Sequence, residues 1–311
     1  LFFLNETNKN IQDTLHFEIL DPAGGLVFSR DYPLLDTLPD KFVNLLARKV
    51  ETPVLDDPGF YCLHSSLKGQ PKIYAKDSIL VVSLDDNLPG ATEVKVGVLT
   101  DIAPFVSGID NLPGVLAGPY DPAKEYDFII CSQKTDGGSK EVRKLMEEMV
   151  QANSQGTPLL FVPPKASDAQ FYGHLLDSLG VFDVQGFVGR TRRPWLGSWI
   201  FVKKHPVLEG LPANQAMKTY YQVATREFWN GQDLQENAGL VLDGKGIEVF
   251  AGYGRDHEPA VGAAGFFVEN GKGTMGFYGF SGILYGIGHG SGMQPVVAKK
   301  ILLNTIYHLN K

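Results

Sequence analysis

The chain has 311 residues, with 28 lysines and arginines against 35 acidic residues and a formal net charge of −7. That length allows two hydrophobic cores, and the acidic balance argues against a nucleic-acid partner, which would favour a basic stripe. No apolar run approaches the roughly 18 to 20 residues of a membrane-spanning helix, so no membrane partner is expected.

The opening LFFLNETNKN carries neither a start methionine nor a basic leader, so the sequence reads as excised from something longer. Residues 1 to about 90 read as all-β. LHFEILD (15–21) and LVFSRDYPL (26–34) flank the turn PAGG, a hairpin signal. PGFYCLHSSLKG and DSILVVSLDD (77–86) continue the strand-and-turn pattern, which suggests a β-sandwich of immunoglobulin-like size. LDDNLPGATE (84–93) reads as a polar linker.

The texture then changes. VKVGVLT (94–100) and YDFIICS (126–132) are near-continuous apolar runs, as expected of strands buried on both faces of a parallel sheet. Residues 139–156 predict an amphipathic helix with Val142, Leu145, Met146, Met149 and Val150 on one face and Gly156 beyond its end. TPLLFVPP is the next strand. Residues 167–180 predict a second helix burying Phe171, Leu175, Leu176 and Leu179, stopped by Gly180. AGLVLDG, IEVFAGYG, PAVGAAGFFVENG and GTMGFYGF supply further strands. A final helix near 293–309 buries Ala298, Ile301, Leu302, Thr305, Ile306 and Leu309. Strands alternating with helices predict a doubly wound α/β sheet.

Few motifs carry chemistry. The glycine-rich GFSGILYGIGHGSGM (279–293) matches neither nucleotide-binding glycine pattern and reads as a tightly packed loop. Ser281 and Ser291 lack the flanking glycines of a nucleophile elbow. His289 and His257 have no second histidine at metal-ligand spacing. Asp56–Asp57 and Asp85–Asp86 are adjacent pairs of the kind that serve turns, not opposed glycosidase carboxylates. Cys62 and Cys131 fall in different predicted domains and suggest neither a disulfide framework nor a zinc cluster. The most individual stretch is RTRRPWLGSWIFVKKHPVLEGLP (190–212). There Arg190, Arg193, Trp195 and Trp199 offer stacking faces and donors for a sugar, and a packed loop or a subunit interface is the competing reading.

HPVLEGLP (205–212), TYYQV (219–223) and the closing GKGTMGFYGF…VVAKKILLNTIYHL resemble class I glutamine-amidotransferase-like domains, closest to their trehalose-utilisation-like and β-galactosidase-trimerisation-like branches. The preceding segment resembles the immunoglobulin-like accessory domains of family 2 glycoside hydrolases. The resemblance implies an immunoglobulin-like sandwich over 1–90 and a flavodoxin-like domain over 91–311. It implies a non-catalytic accessory region of a β-galactosidase-like, periplasmic or extracellular bacterial enzyme. Its partners would be an upstream catalytic domain of the same polypeptide, carbohydrate, or further copies of the chain. Active amidotransferases place a cysteine in a glycine-flanked turn after a central strand. Here that strand ends in Pro163 and Pro164, and Cys131 lacks the flanking glycines. No catalytic residue, cofactor or metal ligand is therefore expected. The candidate carbohydrate contacts are Arg190, Arg193, Trp195, Trp199 and His289. The alternatives are a stand-alone sugar hydrolase and a carbohydrate-binding module using Trp195 and Trp199.

Overall fold

A computed structural model describes residues 1–7, 9–37, 42–84, 93–135, 140–189, 198–217, 220–221, 237–255, 261–288 and 293–310. The chain separates into two compact units, Leu1–Ser83 and Leu84–Lys311.

In the first unit, β2 (Ile11–Leu20), β3 (Leu26–Thr37), β5 (Gly59–Leu67) and β6 (Tyr74–Val81) form an antiparallel sheet in the order β3-β2-β5-β6. A separate two-stranded ribbon pairs β1 (Phe2–Leu4) with β4 (Val43–Leu45). The expected hairpin joins β2 to β3. Asp21 closes it by accepting the amides of Ala23 and Gly25, and Gly24 takes the φ of +89° that a side chain would resist. Alternation puts Leu15, Phe17 and Ile19 on one face and His16 and Glu18 on the other. Leu15, Leu34 and Leu67 bury against Phe3 of the ribbon.

The second unit is a mixed sheet flanked by helices, an α/β architecture. β7 (Val94–Thr100), β8 (Val115–Pro119), β9 (Phe128–Ser132), β10 (Leu159–Phe161) and β17 (Gly273–Tyr278) are mutually parallel, in the order β8-β7-β9-β10-β17. Beyond β17 the sheet turns antiparallel through β16 (Gly262–Asn270), β15 (Ile247–Arg255), β12 (Ser198–Val202) and β13 (Gln215–Ala216). β14 (Ala238–Asp243) joins β16 by one residue pair and carries β11 (Asp183–Gly189).

Both faces are covered. Ile129, Cys131, Leu159, Phe161, Met275 and Phe277 pack with α2 (Lys140–Gln155) and α3 (Ala166–Ser178). Residues alternating with these face α5 (Pro295–Leu309), where Tyr278 Oη meets Thr305 Oγ1. α4 (Gly282–Gly288) packs against both α5 and α1 (Ala103–Asp110); the Cβ of any residue replacing Gly108 would meet Ile287.

Three expectations need correction. Leu179 follows the last turn of α3 and is 40% exposed; Leu175 and Leu176 are buried as expected, Phe171 is half-buried, and Ala169 and Tyr172 are buried beside them. In the α5 stripe Leu309 is only half-buried, while Val297 and Leu303 are fully buried. The 279–293 segment contains α4, so its glycines do not mark a loop throughout. They do mark close packing: a Cβ at Gly286 would lie 2.6 Å from the Met293 carbonyl. The linker at 84–93 falls almost wholly outside the described residues.

On the outer face of the first sheet, His64 Nδ1 meets Glu18 at 2.8 Å. His16 Nδ1 and Lys68 Nζ meet the two oxygens of Asp31 at 2.7 and 2.6 Å. The hydrogen bond from Lys68, then that from His16, hold the Asp31 carboxyl below the usual carboxylate range. A lowered carboxyl stabilises the fold above its ordinary pKa, and that contribution is lost as pH falls through the lowered value. Lys68→Ala is therefore expected to raise the Asp31 titration midpoint, read by carboxyl-carbon NMR. An unchanged midpoint would refute the pairing.

Candidate functional site

Open parallel sheets collect ligands outside the carboxyl ends of their strands, where the strand order reverses. Here β8 and β9 flank β7 on opposite sides, so that point lies past Thr100 and Ser132, which pair in register. Thr100 Oγ1 donates to the Ser132 carbonyl at 3.1 Å and accepts the Ile102 amide at 3.0 Å, turning the chain into α1. On the two strand exits, Asp101 and Lys134 form an ion pair at 3.0 Å.

Asp168, in the first turn of α3, is buried. Its Oδ1 accepts the Thr135 amide at 2.8 Å and the Thr135 hydroxyl at 2.7 Å, tying the exit of β9 to α3. Its Oδ2 is buried without a hydrogen-bond partner among the described residues, and so is Ser132 Oγ. A buried polar atom left unpaired costs about 1 to 3 kcal/mol. A bound polar molecule or an ordered water would remove that cost. The pair offers a carboxylate acceptor and a hydroxyl that both donates and accepts, an inventory suited to hydroxyl-rich ligands.

Beneath these groups the sheet is sealed. Cys131 is fully buried with Sγ 3.7 Å from the Tyr172 hydroxyl, which itself donates to the Gln133 carbonyl. Burial pushes the thiol up to about 12, against the smaller lowering effect of the bonds to Tyr172 and Gln133. Nucleophilic cysteines need the opposite, an exposed site that favours thiolate. After β10, Val162, Pro163 and Pro164 are all buried, and the Val162 amide donates to the Cys131 carbonyl at 2.9 Å. This strand exit is filled by protein.

Of the candidate sugar contacts, Trp199 lies in β12, half-buried and paired with Gly254 of β15. Arg190, Arg193, Trp195 and His289 lie outside the described residues, as do His257 and Ser291. The structure does unite two of the quoted motifs. In HPVLEGLP, His205 precedes a single 3-10 turn, Pro206–Leu208, and its Nδ1 accepts the Val207 amide at 3.3 Å. From LLNT, Asn304 donates to the carbonyls of Val207 (3.2 Å) and Glu209 (3.0 Å), clamping that turn to α5.

Sequence reasoning missed a second group. His205, Glu248 of β15 and His308 of α5 bring three ligand atoms within 4.8 Å of one another. His205 lies against the rings of Phe250 and Phe267, with His308 edge-on to it. Burial lowers the His205 pKa, more than the nearby Glu248 carboxylate raises it. No short-range spacing announces this group, because its members come from distant segments. The same holds for Ser132, Thr135 and Asp168.

No protein-family model matches the chain, and no curated protein sequence matches it. Among solved structures, similarity is found to a β-galactosidase from Bacillus circulans sp. alkalophilus. It is 11% identical over 71% of this chain and 32% of that one, with a TM-score of 0.39. A carbohydrate deacetylase, Agd3, is 9% identical over 70% of this chain and 33% of its own, with a TM-score of 0.37. The cytoplasmic protein STM1381 from Salmonella typhimurium LT2 is 9% identical over 81% and 97% of the two chains, with a TM-score of 0.40. The chain spans about a third of the first two proteins' length. All three TM-scores fall below 0.5. Among the described residues, no helix is long and apolar enough to cross a membrane.

The two thiols should differ in reactivity. In native protein at pH 8, a maleimide reagent is expected to label half-buried Cys62 and leave Cys131 unmodified until denaturant is added. Labelling of Cys131 at the rate of a free thiol would overturn its description as sealed.

Proposed function

We propose that this chain is a non-catalytic accessory region of a glycoside hydrolase, bracing a catalytic domain upstream in the same polypeptide or forming subunit contacts. In this reading the first unit is an immunoglobulin-like module. The second is flavodoxin-like, since its five parallel strands, numbered in chain order, run 2-1-3-4-5. The enzyme would act on carbohydrate in the periplasm or outside the cell.

One observation carries the non-catalytic part. Where the resemblance would require a reactive cysteine turn, the exit of β10 is packed with buried proline, and the nearby Cys131 thiol is held protonated in the core. Covalent catalysis needs an activated nucleophile beside an oriented base, and neither is offered there. The purified chain should leave aryl glycosides, aryl esters and glutamine at background turnover, with Cys131→Ala unchanged from the parent. Turnover that disappears in Cys131→Ala would end this reading.

A second reading is favoured by the unpaired Ser132 Oγ and Asp168 Oδ2: a carbohydrate-binding site at the carboxyl ends of β7 and β9. It predicts saturable calorimetric binding of a mono- or oligosaccharide that weakens about tenfold or more in Asp168→Asn, a loss of about 1.4 kcal/mol. Asparagine keeps an oxygen for Thr135, so that variant tests the ligand and not the α3 tie. Equal affinity in the variant would remove this reading.

A further inference from the structure

The group formed by His205, Glu248 and His308 lies apart from the carboxyl-end site, and nothing in the proposed function uses it. We infer that these three side chains form a binding site for one divalent transition-metal ion of the zinc class. His205 is 91% buried, and its Nε2 makes an ion-pair contact of 3.2 Å with Glu248 Oε1 that falls outside regular hydrogen-bond geometry. A buried ring nitrogen this close to a carboxylate can share with it an ion placed between them.

The donor set fits the ion class. Two imidazoles and one carboxylate suit zinc and its neighbours, whereas calcium and magnesium demand oxygen ligands throughout. Neighbouring ligands about 2.1 Å from a tetrahedral ion stand roughly 3.4 Å apart. The His205–Glu248 contact already has that spacing. The group as a whole spans up to 4.8 Å, so up to about 1.4 Å of closure is needed. Glu248 is exposed and half-buried His308 rests edge-on against His205, so the closure falls mainly to the Glu248 carboxylate. His308 also sits in the last turn of α5, where the helix's carbonyl end favours positive charge.

Coordination requires a tautomer change. The Val207 amide donates to His205 Nδ1, which places the imidazole proton on Nε2 in the metal-free protein. Binding at Nε2 moves that proton to Nδ1 and gives up the Val207 bond. At 3.3 Å that bond is longer than usual, and the bond from Nε2 to the ion takes its place.

The test is zinc titration of the whole chain by calorimetry, alongside thermal unfolding with and without zinc. His205→Ala would disturb packed rings, so the variants are His308→Ala and Glu248→Gln, each checked for a native circular dichroism spectrum. His16→Ala controls for the histidines of the first unit. The expected result is one zinc per chain, affinity weakened at least about tenfold in either variant, and a zinc-dependent rise in Tm that both variants lose and His16→Ala retains. Absence of binding, an affinity in both variants equal to that of the parent chain, or loss of binding only in His16→Ala would each overturn the assignment. The first or second outcome would leave a His205–Glu248 contact that serves packing alone.

Discussion

The larger unit depends on one constraint: its central strand, β10, has no face and no edge in contact with water. Leu159, Leu160 and Phe161 are all fully buried, β9 and β17 pair on either side, and both lie parallel to it. Parallel strands cannot be joined by tight turns, so each connection must cross back over a face of the sheet. The helices that make those crossings also cover the apolar faces. Every carboxyl end consequently opens at the same side of the sheet. The polar groups around Ser132 and Asp168 gather there because the packing of β10 leaves them no other place.

Polarity in this unit follows from how those exits are finished. One is filled with buried proline beside the shielded Cys131 thiol of β9, while at the exit of β9 and the start of α3 Ser132 Oγ and Asp168 Oδ2 have no hydrogen-bond partner among the described residues. On the other face of the sheet, aromatic rings dominate. Phe250, Phe267, Tyr278 and Phe280 contact one another, and His205 joins the stack as the polar member. The 3-10 turn after His205 is fixed by Asn304, so ring and turn are positioned by the same helix.

Four of the five parallel strands were legible because burial on both faces leaves a continuous apolar run, as in VKVGVLT, which is β7 from end to end; the edge strand β8, VLAGP, has no such run and was missed. α2 and α5 were legible from their apolar stripes. α4 was not, since GILYGIG is short and glycine-rich, and its helicity comes from packing against α1 and α5 instead of propensity. α1 was missed for similar reasons, with Pro104 and Gly108 breaking up eight residues. Leu179 was misplaced because it is the cap residue after Ser178, where the chain has already left the helix, one position before Gly180 turns at φ +69°. The candidate site was illegible because a strand end, a loop and a helix start meet only in three dimensions. His205 was visible within its motif, but its companions Glu248 and His308 carry no local mark.

The order in which the elements leave the ribosome matters for this fold. β10 is complete at Phe161, but its partner β17 begins only at Gly273, and α5, which covers β17, ends at Leu309. The first unit has all its strands by Val81 and can fold while the rest is being translated. The larger unit cannot. For more than a hundred residues of synthesis, one side of β10 remains an unpaired apolar edge, the kind of surface that recruits other strands. Until β17 is made, that edge is open to any strand able to pair with it.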